Sequence, residues 1–149
     1  RLTKGGKLIE GIFRGATINT PSMLCVADYL DALAWIRSLG GLHGAITKSE
    51  ANLKVLRDFV SQREWIHFLA AEDDQISNTS VCLTLDVDAD RVKEIVSLLD
   101  NEGAAFDIGA YRDAPAGLRI WCGATVEEHD LKMLMPWIDW AYESVTELS

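Results

Sequence analysis

The apolar residues of this chain change their spacing once, near Trp65, and that change constrains the fold more than any other feature. Before it, apolar residues recur at helical spacing in two segments that Gly40-Gly41 separates. After it come short alternating segments, of which residues 81–85 are the clearest, mixed with further helical segments. Two helices followed by strands and helices predict an α+β domain, with a small, mostly antiparallel sheet that carries its helices on one face.

The first helix is expected to begin at Thr20-Pro21, because a hydroxyl can cap a helix and proline is tolerated at its first position. Gly40-Gly41 ends this helix, and a second one runs to about Gln62. The inner face of the second helix carries five apolar residues: Ile46, Leu53, Leu56, Phe59 and Val60. Together these segments predict a long interdomain helix with an antiparallel neighbour, preceded over residues 1–18 by an extended connector with one short strand.

The rest of the chain alternates strands with helices. Strands are expected at residues 65–69, on the sheet edge, at 81–85, and at 105–111 and 117–122, which a turn joins. A helix capped by Asp88 or Asp90 should end near Gly103. The segment from Thr125 to Glu128 has the pattern of a capping box that opens the last helix, which Pro136 should kink or split.

The composition excludes several functional classes. A net charge of −9 argues against nucleic acid and anionic membranes as partners, and no apolar run is long enough to span a membrane. The three cysteines lie far apart and the three histidines lack clustered acidic or cysteine neighbours, so we expect no metal site. We expect the cysteines to be buried thiols in a reducing compartment, the cytoplasm, and the five tryptophans to pack in the core and at interfaces.

Residues 109–123 carry two arginines on either side of a Pro/Gly turn, and the second arginine lies inside an apolar strand. Alternation places Arg119 and Trp121 on one face of that strand; the other face carries Leu118, Ile120 and Cys122. A guanidinium among apolar neighbours is costly unless an anion meets it, and its planar fork fits carboxylate or phosphate. The alternative is that an internal Asp or Glu satisfies Arg119 and that Arg112 is solvated.

Three segments resemble one family. Tyr111-Arg112 followed by Gly117-Leu118-Arg119 resembles the C-terminal signature of phosphoserine aminotransferases, which are pyridoxal-phosphate enzymes of fold type I. Residues 15–24 resemble the Asn-Thr-Pro loop of that family, and the resemblance continues through residues 77–83. It covers essentially the whole chain and is closest to the branch found in alphaproteobacteria and some archaea.

The resemblance implies that this chain is the C-terminal portion of such an enzyme. Residues 1–20 would be a connector and the end of the large domain, and residues 21–149 the small domain. The large cofactor-binding domain, with its Schiff-base lysine, would lie outside this chain, so the chain holds no catalytic residue. We therefore expect the isolated chain to be inactive.

The resemblance also assigns roles to five residues. Asn19 and Thr20 would reach across a homodimer interface to hold the phosphate of the partner subunit's pyridoxal 5'-phosphate, although Thr20 as an ordinary helix cap needs no ligand. Arg119 would grip the substrate's α-carboxylate, with Arg112 and Tyr111 at the phosphate end. Many members of the family carry His-Arg where this chain has Tyr111-Arg112. A tyrosine can donate a hydrogen bond but lacks the histidine's variable charge.

The implied reaction transfers an amino group between O-phospho-L-serine and 2-oxoglutarate, giving 3-phosphohydroxypyruvate and glutamate, within L-serine biosynthesis. The partners would be these small molecules and a second copy of the chain, with neither nucleic acid nor membrane. Two alternatives stay open: another fold type I aminotransferase that acts on an acidic amino acid, and a non-catalytic dimerisation fragment.

Overall fold

A computed structural model describes residues 2–17 and 19–147, and it divides between Leu42 and His43 into two compact units. The first unit contains two antiparallel strands of two residues each, a 3₁₀ helix and one α-helix. These elements are β1 (Thr3–Lys4), β2 (Lys7–Leu8), the 3₁₀ helix Glu10–Arg14 and α1 (Met23–Ser38). The connector is thus a small hairpin and a helical turn rather than an extended segment with one strand. The domain boundary expected at residues 20 and 21 stays a prediction.

Helix α1 begins after Ser22, whose hydroxyl accepts a hydrogen bond from the Cys25 N–H at 3.4 Å. The prediction that Thr20 caps this helix was wrong, because Ser22 occupies the extended position immediately before the first helical turn. The helix ends at Ser38, before Gly40 and Gly41, which take φ angles of 95° and 71°. These left-handed angles suit glycine and confirm the predicted stop.

The second unit contains most of α2 (Gly41–Ser61), then strands, helices and one short 3₁₀ helix. In chain order these are β3 (Ile66–Phe68), the 3₁₀ helix Asp73–Gln75, β4 (Ser80–Leu85), α3 (Ala89–Asn101), β5 (Gly117–Trp121) and α4 (Glu128–Thr146). The sheet is antiparallel, in the order β3-β4-β5, with β4 in the middle and β3 at an edge. This arrangement confirms the α+β class and the edge position of β3. Among the described residues, no helix is both long and apolar enough to cross a membrane.

The core lies between one face of the sheet and the helices. Val81, Leu83 and Leu85 of β4 alternate with half-buried residues, so every second side chain of this strand is buried. These side chains belong to one cluster with Ile95 of α3 and Ile138 of α4, both fully buried. The helices thus pack on one face of the sheet, as predicted.

Helix α2 also contributes to this core through Leu53, Leu56 and Phe59, as predicted. Val60 is half-buried against the same cluster, whereas Ile46 is 40% exposed, contrary to its assignment to the inner face.

Three further local predictions concern the start of α3, the interior of α4 and the start of α4. Asp88, and not Asp90, caps α3: its Oδ1 accepts from the N–H groups of Asp90 and Arg91 at 3.0 and 2.9 Å. Helix α4 continues through Pro136, so the predicted split does not occur, while the predicted kink stays a prediction. Its capping box does not form, because the helix begins after Glu127 and the Thr125 hydroxyl accepts from the Trp121 indole instead.

Residues 105–111 do not form the predicted strand. Gly109 makes one isolated bridge to Leu118, and the Arg119 N–H donates to the Ile108 carbonyl at 2.7 Å, so the segment runs alongside β5 for a short distance. Asp107 has φ of 53°, which is incompatible with an extended strand and turns the chain there.

Candidate functional site

Arg119 lies in the middle of β5, on the face of the sheet that the helices leave open. Its neighbours Leu118 and Ile120 are 1% and 4% exposed, while the Arg119 side chain is 32% exposed and its partner on β4 is Cys82. The predicted alternation is therefore confirmed. The antiparallel ladder on β4 fixes the Arg119 backbone, so the guanidinium projects from a rigid base.

The Arg119 side chain lines a cleft of about 460 Å³. The other lining residues come from β4, β5, the segment before β5 and the first turns of α4: Ser80, Ala104, Ala105, Phe106, Asp107, Ile108, Ile120, Trp121, Val126, Asp130, Leu131 and Leu134. Arg119 Nη2 donates to Asp107 Oδ2 at 2.8 Å. Arg119 Nε is buried and has no hydrogen-bond partner in the described part of the chain. An internal acidic partner is thus present, yet it leaves one donor of the guanidinium unused.

Trp121 forms a wall of the same cleft and is 56% exposed, so it does not pack in the core of this chain, and packing at an interface stays a prediction. Its indole N–H donates to Thr125 Oγ1 at 3.3 Å, and its ring lies over Gly123. A Cβ at Gly123 would lie 2.8 Å from that ring, closer than packing allows, so a side chain there would displace the indole. The alternation that placed Trp121 beside Arg119 was the signal for this role.

Asn52 of α2 is fully buried and holds the loop that follows β5. Its Nδ2 lies 3.1, 3.3 and 3.0 Å from the carbonyl oxygens of Cys122, Gly123 and Val126. Its Oδ1 has no partner among the described residues. The sequence analysis missed this residue, although a polar side chain next to the inner-face residue Leu53 was a signal.

Tyr111 and Arg112 lie in the turn before β5 and are exposed. They line a second cleft, of about 540 Å³, against α3. Arg112 forms no ion pair within residues 2–17 and 19–147, which agrees with the solvated alternative for the protein without ligand. The structure does not bring Arg112 and Arg119 into one cleft, but Asp107 lines both clefts.

Asn19 and Thr20 lie in the first unit, just before α1, and both are exposed. The Asn19 carbonyl accepts from the Thr17 hydroxyl at 2.8 Å, while the side chains of Asn19 and Thr20 make no hydrogen bond within the described ranges. A free amide, a free hydroxyl and the first N–H groups of a helix are donors that suit a phosphate. This donor set therefore fits the phosphate end of the implied cofactor.

No group of three or more His, Cys, Asp or Glu residues that could hold a metal ion occurs in the described ranges. Burial raises the pKa of the Cys122 thiol to about 12, so it stays neutral. Cys82 is half-buried and Cys25 is exposed on α1, so the expectation that all three cysteines are buried was wrong.

No protein-family model matches this chain. The phosphoserine aminotransferases of Methanosarcina mazei and Methanosarcina barkeri are each 54% identical to it over 145 residues. The match covers 97% of this chain and 39% of each relative, so the chain spans about two-fifths of their length.

Two solved structures share the fold. The phosphoserine aminotransferase from Bacillus circulans subsp. alkalophilus superimposes with a TM-score of 0.79 at 20% identity, over 89% of this chain and 36% of that one. A phosphoserine aminotransferase from a study of radiation damage to its Schiff base gives 0.78 at 19% identity, with the same coverage. Over almost its whole length, therefore, this chain is similar to part of the phosphoserine aminotransferases and has the fold of that part.

Proposed function

We propose that this chain is the C-terminal portion of a phosphoserine aminotransferase, an enzyme that transfers an amino group between O-phospho-L-serine and 2-oxoglutarate. The observation that carries the proposal is the 54% identity over 97% of the chain to two proteins of that name. The cleft that Arg119 lines agrees with it, because both substrates carry an α-carboxylate that a guanidinium can bind.

Arg119 binds the α-carboxylate of each substrate in this proposal. Its backbone is fixed in the ladder between β4 and β5, and its buried Nε has a hydrogen bond still to make. A carboxylate that reaches Nε and Nη2 together would satisfy both donors with one group. The rigid strand orients that carboxylate and so positions the rest of the substrate.

Arg112 and Tyr111 meet the distal end of the substrate. Both lie in the exposed turn before β5, where a charge costs little and can move to meet its ligand. The distal end is a phosphate dianion in phosphoserine and a carboxylate in 2-oxoglutarate. Arg112 and Tyr111 therefore discriminate between the two substrates.

Asn19 and Thr20 hold the phosphate of pyridoxal 5'-phosphate that belongs to the partner subunit of a homodimer. Their free amide and hydroxyl, in the segment just before the Ser22 cap of α1, supply donors for that phosphate. When bound, the cofactor supplies an electron sink for the bond changes at the substrate's α-carbon. The lysine that carries it belongs to the part of the enzyme outside this chain, so the chain alone is inactive.

The reaction serves L-serine biosynthesis in the cytoplasm. The test uses the full-length protein with phosphoserine as amino donor and aspartate as the competing one. Phosphoserine turnover with 2-oxoglutarate, well above aspartate turnover, is expected. A clear preference for aspartate would replace the proposal with a different fold type I aminotransferase.

The shared site has its own test, in which two inactive variants are mixed. One subunit carries Asn19→Ala and Thr20→Ala, and the other lacks its catalytic lysine. Each heterodimer then holds one intact site, so activity should return on mixing under conditions that exchange subunits. No recovery, although mass spectrometry detects heterodimers, would contradict a site shared across the interface.

A further inference from the structure

Asp107 is the only non-glycine residue with a positive φ within residues 2–17 and 19–147. Its φ of 53° lies in the left-handed region, where Asp and Asn are tolerated better than other side chains. Its side chain is 90% exposed, so burial of that side chain does not explain the conformation. The contact that the conformation does provide is with Arg119, 12 positions along the chain.

The contact with Arg119 uses half of what a guanidinium offers a carboxylate. Asp107 Oδ2 meets Nη2 at 2.8 Å, while the neighbouring Nε on the same edge of the guanidinium stays buried and unpartnered. A carboxylate that binds this edge in the usual bidentate manner contacts Nε and Nη2 together. Asp107 therefore occupies the edge without saturating it.

We propose that Asp107 is the resident counterion of Arg119, and that the substrate's α-carboxylate replaces it. The inference rests on the proposed function of Arg119. Asp107 then acts through Arg119 as a positioning residue: it neutralises and holds the guanidinium in the free enzyme and lowers the affinity of the cleft for every carboxylate ligand. Because the Asp107 carboxylate is exposed, water solvates it when it is displaced, so the exchange costs little.

Replacement of Asp107 by the substrate carboxylate predicts that removing the Asp107 charge tightens carboxylate binding. A purely structural role for Asp107 does not predict this result. Asp107→Asn removes the charge but keeps the shape and suits the left-handed backbone, so the fold should persist. In the full-length enzyme we expect this variant to bind 2-oxoglutarate about three- to fivefold more tightly, since an exposed ion pair is lost as a competitor. Asp107→Glu, which retains the charge, should restore affinity toward the wild-type value.

Binding is measured by calorimetry with glutarate, a dicarboxylate that lacks the keto group and cannot react, and by the KM for 2-oxoglutarate. Asp130→Asn is the matched control, because Asp130 lines the same cleft without contacting Arg119. It reports the gain that comes from removing any negative charge there. Asp107→Gly, which also suits the backbone, is the second variant if Asp107→Asn unfolds.

Tighter glutarate binding in Asp107→Asn than in Asp130→Asn, lost when Arg119→Ala is added, would support the exchange. Weaker binding, or a gain no larger than that of Asp130→Asn, would overturn it while leaving the role of Arg119 intact. If Arg119→Ala alone leaves glutarate and 2-oxoglutarate binding unchanged, the proposed carboxylate site itself is wrong. The two failures are therefore distinguishable.

Discussion

Arg119 and Arg112 are separated by a single turn, yet they differ in backbone structure, burial and ion pairing. Arg119 is fixed by a strand ladder, is two-thirds buried and pairs with Asp107. Arg112 is exposed in the turn and has no ion-pair partner in the described ranges. A guanidinium on a rigid, partly desolvated base suits a group that every substrate shares, whereas one on an exposed turn suits a group that varies. In the proposed function, two charges of the same type would therefore take different roles because their backbones differ.

The largest effect is expected for Arg119→Ala. Losing one partner of a desolvated charge pair costs about 2–5 kcal/mol, so the specificity constants for phosphoserine and for 2-oxoglutarate should each fall at least tenfold. Single-turnover spectra of each half-reaction in the full-length enzyme measure both. Arg57→Ala is a suitable control, because Arg57 pairs with Asp73 and lines neither of the two clefts. A loss confined to one substrate would contradict the assignment to the shared carboxylate.

Asn52 of α2 holds the loop that follows β5, the strand that carries Arg119. Asn52→Ala removes three contacts to carbonyl oxygens, so we expect a loss of about 2–3 kcal/mol in unfolding free energy. Calorimetry should show a lower Tm, and hydrogen exchange should speed up in residues 122–126.

Asn101→Ala is the matched control for Asn52, because Asn101 makes one exposed side-chain hydrogen bond, to Ser97. Its effect should stay near or below 0.5 kcal/mol. If the two variants lose the same stability, the loop after β5 does not depend on the Asn52 contacts.

Arg112→Ala should have a smaller and selective effect. Exposed charges contribute about 1 kcal/mol or less, so we expect a three- to fivefold loss in specificity constant for phosphoserine. Glutamate and 2-oxoglutarate should lose less, because a phosphate dianion attracts a cation more strongly than a single carboxylate does. Half-reaction kinetics give the ratio directly. Equal losses for both substrates would remove the distinction between the two arginines.

The last effect concerns Cys122, next to β5; it is absent at neutral pH and appears only at alkaline pH. Burial raises its pKa to about 12, above the value of about 9 for a free thiol, so the unfolded chain loses the proton first. The stabilisation is complete below pH 9 and is lost as the pH rises toward 12. Cys122→Ala should therefore flatten the fall in Tm between pH 9 and 11, whereas Cys25→Ala, at an exposed position, should leave it unchanged.

Local pattern predicted most of the elements, because periodicity and breakers act within a few residues. The strand around Val81, the edge strand near Ile66 and the glycine stop at Gly40 were all confirmed. The errors lie where a distant or competing group decides. Thr125 did not cap α4 because its hydroxyl meets the Trp121 indole, and Ser22 took the cap expected of Thr20.

The sequence by itself determined the α+β class, the family resemblance and the placement of Arg119 on the open face of its strand. Strand alternation and short motifs are properties of consecutive residues, so they can be read without coordinates. Only the tertiary structure decided that Asp107 is the partner of Arg119, that Asn52 holds the loop after β5 and that Arg112 lines a different cleft. Each of these features depends on residues that lie apart in the chain, so only packing determines which of them share a contact or a cleft.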